Sequence, residues 1–126
     1  VMMELDMDYD SIADAGSMLG AGSVIIMDDT TDMVDALQRL SHFYYEESCG
    51  QCTPCREGTG WLYRVIRRIN KGSGKAEDLE LLTDMASKIQ GRTICALGDA
   101  AAMPVESFVN RFKNEFEGKI TKKASA

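Results

Sequence analysis

The chain has 126 residues, a length that suits one folded domain, and 44% of them are hydrophobic, as in globular rather than disordered proteins. Its formal net charge is −6, and the acidic excess lies in residues 1–50, where Arg39 is the only basic side chain. Because nucleic-acid binding depends on positive charge that neutralises phosphates, this balance argues against a nucleic-acid partner. No apolar run approaches the roughly 18 residues of a membrane-spanning helix, so we expect no direct membrane insertion.

The first 29 residues are expected to contain loops and one short strand. No secretory signal is visible, and a chain that begins at Val1 rather than Met suggests a piece of a longer protein. Three glycines punctuate residues 14–23, which predicts a loop without the pattern of a phosphate-binding motif. The β-branched run at residues 23–27, Ser-Val-Ile-Ile-Met, predicts a buried strand.

Four later stretches have apolar residues at three- and four-residue steps, which predicts four amphipathic helices. The first covers about 32–47, with Thr30 or Thr31 as its N-terminal cap. The second follows Gly60, and the third covers about 77–90.

The fourth helix is expected to contain Pro104 in its first turn and to end at Gly118. Residues 119–126 are predicted to form a flexible polar tail. The predicted fold class is therefore mainly α: a small four-helix bundle preceded by a short β and loop segment.

The cysteines stand in the connections between the predicted helices. Cys49, Cys52 and Cys55 lie two residues apart in the run Glu-Ser-Cys-Gly-Gln-Cys-Thr-Pro-Cys-Arg-Glu-Gly of residues 47–58, and Cys95 follows 40 residues later. In a four-iron cluster each corner iron takes one cysteine thiolate, and two-residue spacing lets neighbouring thiolates reach different corners. The pattern predicts one [4Fe–4S] cluster bound by these four residues, in a protein that carries electrons.

Other uses of these cysteines fit the sequence less well. Structural zinc sites usually use two separated cysteine pairs, so three cysteines at two-residue steps fit zinc less well than a cluster. A zinc-stabilised interaction module nevertheless remains an alternative. Disulfides are disfavoured without a secretion signal, and a thioredoxin-like pair would need a βαβ pattern. A Rieske centre needs two histidines, whereas His42 is the only one and is expected to be a surface or core residue. Arg56 is either a surface charge or a group that offsets thiolate charge. No catalytic residue is assigned.

Two segments resemble one known family. Residues 47–58 resemble the cluster loop of the NADH- and FMN-binding flavin (F) subunit of respiratory complex I, the NADH:quinone oxidoreductase. Residues 93–104, Thr-Ile-Cys-Ala-Leu-Gly-Asp-Ala-Ala-Ala-Met-Pro, resemble the second cluster segment of that family, and residues 24–28 with the helix after them also match. The resemblance covers about residues 5–117, with Met103 in place of the Trp expected in many relatives.

The resemblance implies a domain organisation and a ligand set. Residues 1–29 would be the C-terminal part of a ubiquitin-like domain, residues 30–118 a four-helix cluster domain, and residues 119–126 a tail. The four cysteines match the family's four cluster ligands. In the family, NADH reduces FMN, and electrons then leave singly through the [4Fe–4S] cluster toward further clusters and quinone.

The resemblance also implies which parts and partners this chain lacks. The FMN and NADH sites of the family lie earlier in the subunit and have no match here, so this chain alone is not expected to be catalytic. Its expected partners are the remainder of the flavin subunit and neighbouring peripheral-arm subunits. The expected location is the cytoplasmic face of a bacterial inner membrane or the mitochondrial matrix side. Soluble NAD-linked hydrogenases and formate dehydrogenases carry the same module and remain alternatives.

Overall fold

The computed structural model describes residues 4–121, with only the backbone of Thr121, and divides the chain into two compact units. The first unit ends at Thr31 and the second begins at Asp32. Within the described residues, no helix has both the length and the apolar character that membrane crossing requires.

The first unit contains one short helix, α1, at Tyr9–Asp14. The side chain of Asp8 caps it, because Oδ1 accepts a hydrogen bond of 2.8 Å from the N–H of Ser11. The chain leaves the helix through Gly16, whose φ of 77° is a left-handed conformation that glycine adopts without strain.

The strand predicted at residues 23–27 is absent. Residues 23–28 have no regular secondary structure, and Val24, Ile25 and Ile26 are exposed, Ile26 to 92%. The β-branched side chains supply strand propensity, but a strand is stable only when a neighbouring strand pairs with its backbone. The part of the chain that the structure describes contains no other strand to provide that pairing.

The second unit begins with α2, Met33–Glu47, as the apolar spacing predicts. Its cap is Asp32, whose Oδ1 accepts a hydrogen bond of 3.0 Å from the N–H of Asp35. The prediction of a threonine cap was wrong. The hydroxyl of Thr30 instead donates to Asp28, at 2.7 Å.

Helix α3, Thr53–Asn70, begins earlier than predicted, and α4, Asp78–Ile89, lies within the predicted third helix. A buried carboxylate joins these two helices, because Asp78 at the start of α4 is 1% exposed. It accepts hydrogen bonds from the guanidinium of Arg68, at 3.0 Å from Nε, and from the N–H of Lys75, at 2.8 Å. These donors satisfy a carboxylate that would otherwise be costly to bury.

The predicted fourth helix is two helices, α5 at Leu97–Arg111 and α6 at Lys113–Thr121. Pro104 therefore lies inside α5, contrary to the prediction that it occupies the first turn. A run of alanines before it, with high helix propensity, extends the helix on the N-terminal side despite the lost proline N–H. Gly118 does not end the helix, which continues to Thr121. Residues 119–121, the first part of the expected tail, therefore belong to the last turn of α6. The rest of that tail, residues 122–126, lies outside the described residues.

The core of the second unit lies between α2, α3, α4 and α5, and α6 adds one aromatic side chain to it. The mainly α fold class is thus confirmed, with the fourth helix of the expected bundle divided in two. The buried core residues are Val34, Leu37, Leu62, Val65, Ile66, Ile69, Leu79, Leu82, Ala86, Ile89, Ala102, Val105, Val109 and Phe116.

Helix α6 returns to the start of α2. Glu115 Oε2 accepts a hydrogen bond of 3.1 Å from the N–H of Met33, and the ammonium of Lys119 contacts both Asp32 and Asn70. Partial burial raises the pKa of Asp32, but the hydrogen bond from Lys119, the N–H of Asp35 and the charge of Lys119 together hold that pKa below its ordinary value. Charged groups thereby join the beginning of the second unit to α6.

Candidate metal centre

The first three cysteines lie in the turn from α2 to α3. Gly50 allows this turn, since its φ of 73° is in the left-handed region. Cys52 is the N-terminal cap residue of α3, and Cys55 lies in the first turn of that helix. The expectation that the cysteines lie only in connectors was therefore wrong for Cys55. Pro54 does not prevent the helix, because the first turn does not need its missing N–H.

Cys95 lies in the connection from α4 to α5, directly before the N-terminal cap residue Ala96. The hydroxyl of Thr93 donates a hydrogen bond of 2.8 Å to the carbonyl oxygen of Cys95. Gly98 is buried beside this threonine, and a Cβ atom on Gly98 would lie 2.4 Å from Thr93 Cγ2. Only glycine therefore lets the connection pack this closely against the start of α5.

The four predicted ligands differ in their exposure to solvent. Cys55 is 5% exposed, Cys52 is half-buried, and Cys49 and Cys95 are exposed. Burial raises the pKa of the Cys55 thiol, the Ser48 hydroxyl opposes that rise, and the charges of the other three cysteines add to it.

The donor set fits a cluster with several irons. All four cysteines are free thiols. Among residues 4–121, no three His, Cys, Asp or Glu side chains form a group that could hold a single metal ion. A [4Fe–4S] cluster binds one thiolate at each corner iron, so its ligands surround the cluster and do not meet at one point. Four free thiols on two chain segments supply that number of ligands.

Two helix N-termini adjoin the cysteines. Cys52 caps α3, and Cys95 directly precedes the cap residue of α5. The N-terminal end of a helix carries partial positive charge from its unpaired N–H groups, which stabilises nearby anions. Thiolates at these two positions would therefore be stabilised by the helix dipoles.

Arg56 contacts the backbone of the cysteine turn. Its Nη1 donates to the carbonyl oxygen of Gly50 at 3.2 Å, and its Nε donates to Glu57 at 3.2 Å. Among the described contacts, none joins Arg56 to a cysteine sulfur. The structure thus shows a half-exposed side chain that holds the turn.

Sequence reasoning missed the role of Ser48. Its Oγ lies 3.2 Å from Sγ of Cys55 and accepts a hydrogen bond of 3.4 Å from the N–H of Gly50. The only sequence signal was a hydroxyl directly before the first cysteine. The contact itself depends on the left-handed turn at Gly50, which brings Ser48 back toward the start of α3.

Thr59 and Gly58 also support Cys55 in ways the sequence did not indicate. The buried hydroxyl of Thr59 donates to the carbonyl oxygen of Cys55 at 2.8 Å. Gly58 lies against α4, and a Cβ atom there would be 2.6 Å from Cδ1 of Ile89.

His42 contacts Tyr63, with 4.7 Å between ring centroids, and its Nε2 lies 3.6 Å from Glu46 Oε1.

A protein family described as the NADH-ubiquinone oxidoreductase-F iron-sulfur binding region matches residues 35–119. The chain belongs to this family. The matched region includes all four cysteines and the whole bundle except the first two residues of α2 and the last two of α6.

Curated relatives are similar over most of this iron–sulfur binding chain. The F subunit of NADH-quinone oxidoreductase from Rickettsia bellii is 54% identical over 115 residues, which are 91% of this chain and 28% of that protein. The corresponding protein of Rickettsia conorii is 52% identical over 94% of this chain and 28% of its own length. The chain therefore spans about 28% of the length of these curated relatives.

A solved structure shares the fold. The crystal structure of an NAD+-reducing [NiFe]-hydrogenase in the H2-reduced state matches with a TM-score of 0.74 and 30% sequence identity. The match covers 79% of this chain and 17% of the hydrogenase chain. An air-oxidised form of such a hydrogenase gives a TM-score of 0.71 over 75% of this chain.

Proposed function

We propose that this chain is an electron-transfer module that binds one [4Fe–4S] cluster through Cys49, Cys52, Cys55 and Cys95. The observation that carries the proposal is the presence of these four free thiols, at two turns of the bundle, within the region that matches an iron–sulfur binding family. When bound, the cluster accepts and releases one electron at a time. The protein supplies the thiolates, two helix N-termini that stabilise negative charge, and a packed bundle that holds the turns in place.

The proposed context is the flavin subunit of NADH:quinone oxidoreductase. The relatives named as its F subunit support this context, and the share of their length that this chain spans leaves room for separate NADH and FMN sites. Electrons from FMN would pass through the cluster toward further clusters and quinone. The proposed partners are the remainder of that subunit and neighbouring peripheral-arm subunits, on the cytoplasmic side of a bacterial inner membrane or on the matrix side. Residues 1–29 are proposed to end a ubiquitin-like domain.

A second context has support from a specific observation. The solved structure with the same fold is an NAD+-reducing hydrogenase, so the module also fits an NAD-linked hydrogenase or a related formate dehydrogenase. In both contexts the role of the cluster is the same, and only the origin and destination of the electron differ. The genes next to the gene that encodes this chain distinguish these contexts, since each enzyme needs its own other subunits.

Metal analysis of the anaerobically purified chain tests the proposal. About four irons and four acid-labile sulfides per chain are expected, because a cubane cluster contains that many of each. One zinc per chain without sulfide would instead support the zinc-stabilised interaction module. NADH oxidation by the chain alone with added FMN would contradict the proposed division of functions between this chain and the rest of the subunit.

Substitution of single cysteines tests the ligand set. Cys95→Ala removes the ligand that is distant in sequence, and we expect loss of most bound iron and sulfide. Ser41→Ala is the matched control, since its hydroxyl is buried without a hydrogen-bond partner among the described atoms. Full iron and sulfide content in the Cys95 variant would show that Cys95 is not a ligand.

A further inference from the structure

Ser48 lies against the most buried of the four cysteines. Its Oγ is 3.2 Å from Sγ of Cys55, and either atom could donate the hydrogen bond while the cysteine is a free thiol. An iron-bound thiolate carries no proton, so the Ser48 hydroxyl would then be the only possible donor of the pair. Because Cys55 is only 5% exposed, water has little access to replace this donor.

The surrounding hydrogen bonds orient the Ser48 hydroxyl. The N–H of Gly50 donates to Ser48 Oγ at 3.4 Å, which occupies a lone pair and leaves the O–H free to point at sulfur. Arg56 Nη1 donates to the carbonyl oxygen of the same glycine at 3.2 Å and fixes the turn from the other side. The bond from Gly50 N–H to Ser48 Oγ and the one from the Ser48 O–H to sulfur run in series, and hydrogen bonds in series polarise and strengthen one another.

We infer that Ser48 is a positioning residue that donates a hydrogen bond to the Cys55 ligand sulfur and raises the reduction potential of the cluster. The inference rests on the proposed function, because it requires Cys55 to bind iron. A donor to a ligand sulfur withdraws negative charge from the cluster, and hydrogen bonds to sulfur are one of the factors that set cluster potentials. The reduced cluster carries one more negative charge than the oxidised one, so the donor stabilises the reduced form more.

The test is a redox titration of the cluster-loaded chain, prepared anaerobically and followed by electron paramagnetic resonance. In Ser48→Ala the ratio of oxidised to reduced cluster at a fixed ambient potential should rise about tenfold, a decrease of about 59 mV for a one-electron couple. A change of fold stability alone would not move this potential in a fixed direction.

Two comparisons separate the hydroxyl from the shape of the side chain. Ser41→Ala makes the same chemical change within α2, the helix that ends directly before Ser48, at a hydroxyl without a described hydrogen-bond partner, and should titrate like the wild type. Ser48→Thr retains a hydroxyl and should restore the wild-type potential. Ser48→Val has the shape of threonine without its hydroxyl and should behave like Ser48→Ala.

Each outcome decides the inference. If loaded Ser48→Ala and Ser48→Val titrate with the wild type, the inference is overturned. If both lose iron and sulfide while Ser48→Thr retains them, the hydroxyl is needed to hold Cys55 as a ligand, which supports the hydrogen bond. Loss of the cluster from Ser48→Thr as well would overturn it. Absence of a cluster from the wild type and from Ser41→Ala would refute the proposed function, and the inference with it.

Discussion

Individual polar residues hold the bundle together where apolar contacts end. Asp32 has two roles, because its carboxylate caps α2 through the N–H of Asp35 and also contacts the ammonium of Lys119 on α6. Asparagine caps a helix about as well as aspartate but carries no charge. Substitutions at this position can therefore separate the cap from the ion pair.

We predict that Asp32→Ala lowers the free energy of unfolding by about 1 kcal/mol, the usual cost of losing a cap. Asp32→Asn should cost less, since a half-exposed ion pair contributes only a few tenths of a kcal/mol, or about 1 kcal/mol at most. The pKa of Asp32 is lowered by folding, so its charge contributes stability above the unfolded pKa of about 3.9 and loses it as the pH falls through the folded value.

Anaerobic urea unfolding between about pH 3 and pH 7 measures these effects. The stability difference between the wild type and Asp32→Asn should be constant near neutral pH and shrink as the pH falls below about 4. Lys119→Met is the control from the other side of the pair, and its effect should not add to that of Asp32→Asn in the double variant. Full additivity would show that Asp32 and Lys119 do not interact.

At the scale of helices, close approach of α3 to α4 depends on the absence of a side chain at Gly58. We predict that Gly58→Ala destabilises the protein by about 1–3 kcal/mol, the usual effect of adding atoms to a packed core. The added Cβ would lie 2.6 Å from Ile89, a side chain that is 3% exposed and so has little room to move.

Gly118→Ala in α6 is the matched control. No described atom lies within 4 Å of a Cβ atom at Gly118, so the same change should stabilise the helix by about 0.5–1 kcal/mol. Thermal unfolding of the two cluster-loaded variants measures both effects. A Gly58 variant as stable as the Gly118 variant would show that α3 and α4 can move apart without a loss in the free energy of unfolding.

The sequence predicted helices well where a stripe of apolar residues repeats, as in α2 and α4. It failed at the starts of α3 and α5, where a proline or glycine suggested a break. Gly58 fits inside α3 because Ile89 of α4 packs against it, which is a tertiary contact. Gly98 fits inside α5 because Thr93 of the preceding connection packs against it, and the conformation of that connection is not visible in the sequence. The cysteine spacing predicted a cluster, whereas the Ser48 contact depends on backbone conformation at Gly50, which spacing does not reveal.

At the scale of the whole molecule, the cluster would connect two distant parts of the chain. Three of its proposed ligands stand between α2 and the first turn of α3, and Cys95 stands between α4 and α5. Metal binding contributes free energy to folding when the site does not exist in the unfolded chain. The cluster is therefore expected to hold the two turns together in a way that the apolar core does not.

We predict that removing the cluster lowers the thermal midpoint and increases amide hydrogen exchange, most strongly in residues 48–56 and 93–98. The core residues of α3 and α4 should remain protected longer, because their side chains are buried independently of the cysteines. Circular dichroism and hydrogen exchange before and after oxidation and chelation provide the measurements, with untreated samples in the same buffer as controls. An unchanged melt would refute the idea that the cluster stabilises the bundle.

The contact of α6 with the start of α2 has a consequence for how the second unit fits into larger proteins. Lys119 touches Asp32, so the described part of this unit begins and ends at almost the same place. A folded segment with adjacent ends can be added to or inserted in another protein without stretching its own backbone. This geometry suits a domain that occurs in different proteins. It agrees with the presence of similar segments in both a quinone oxidoreductase and a hydrogenase.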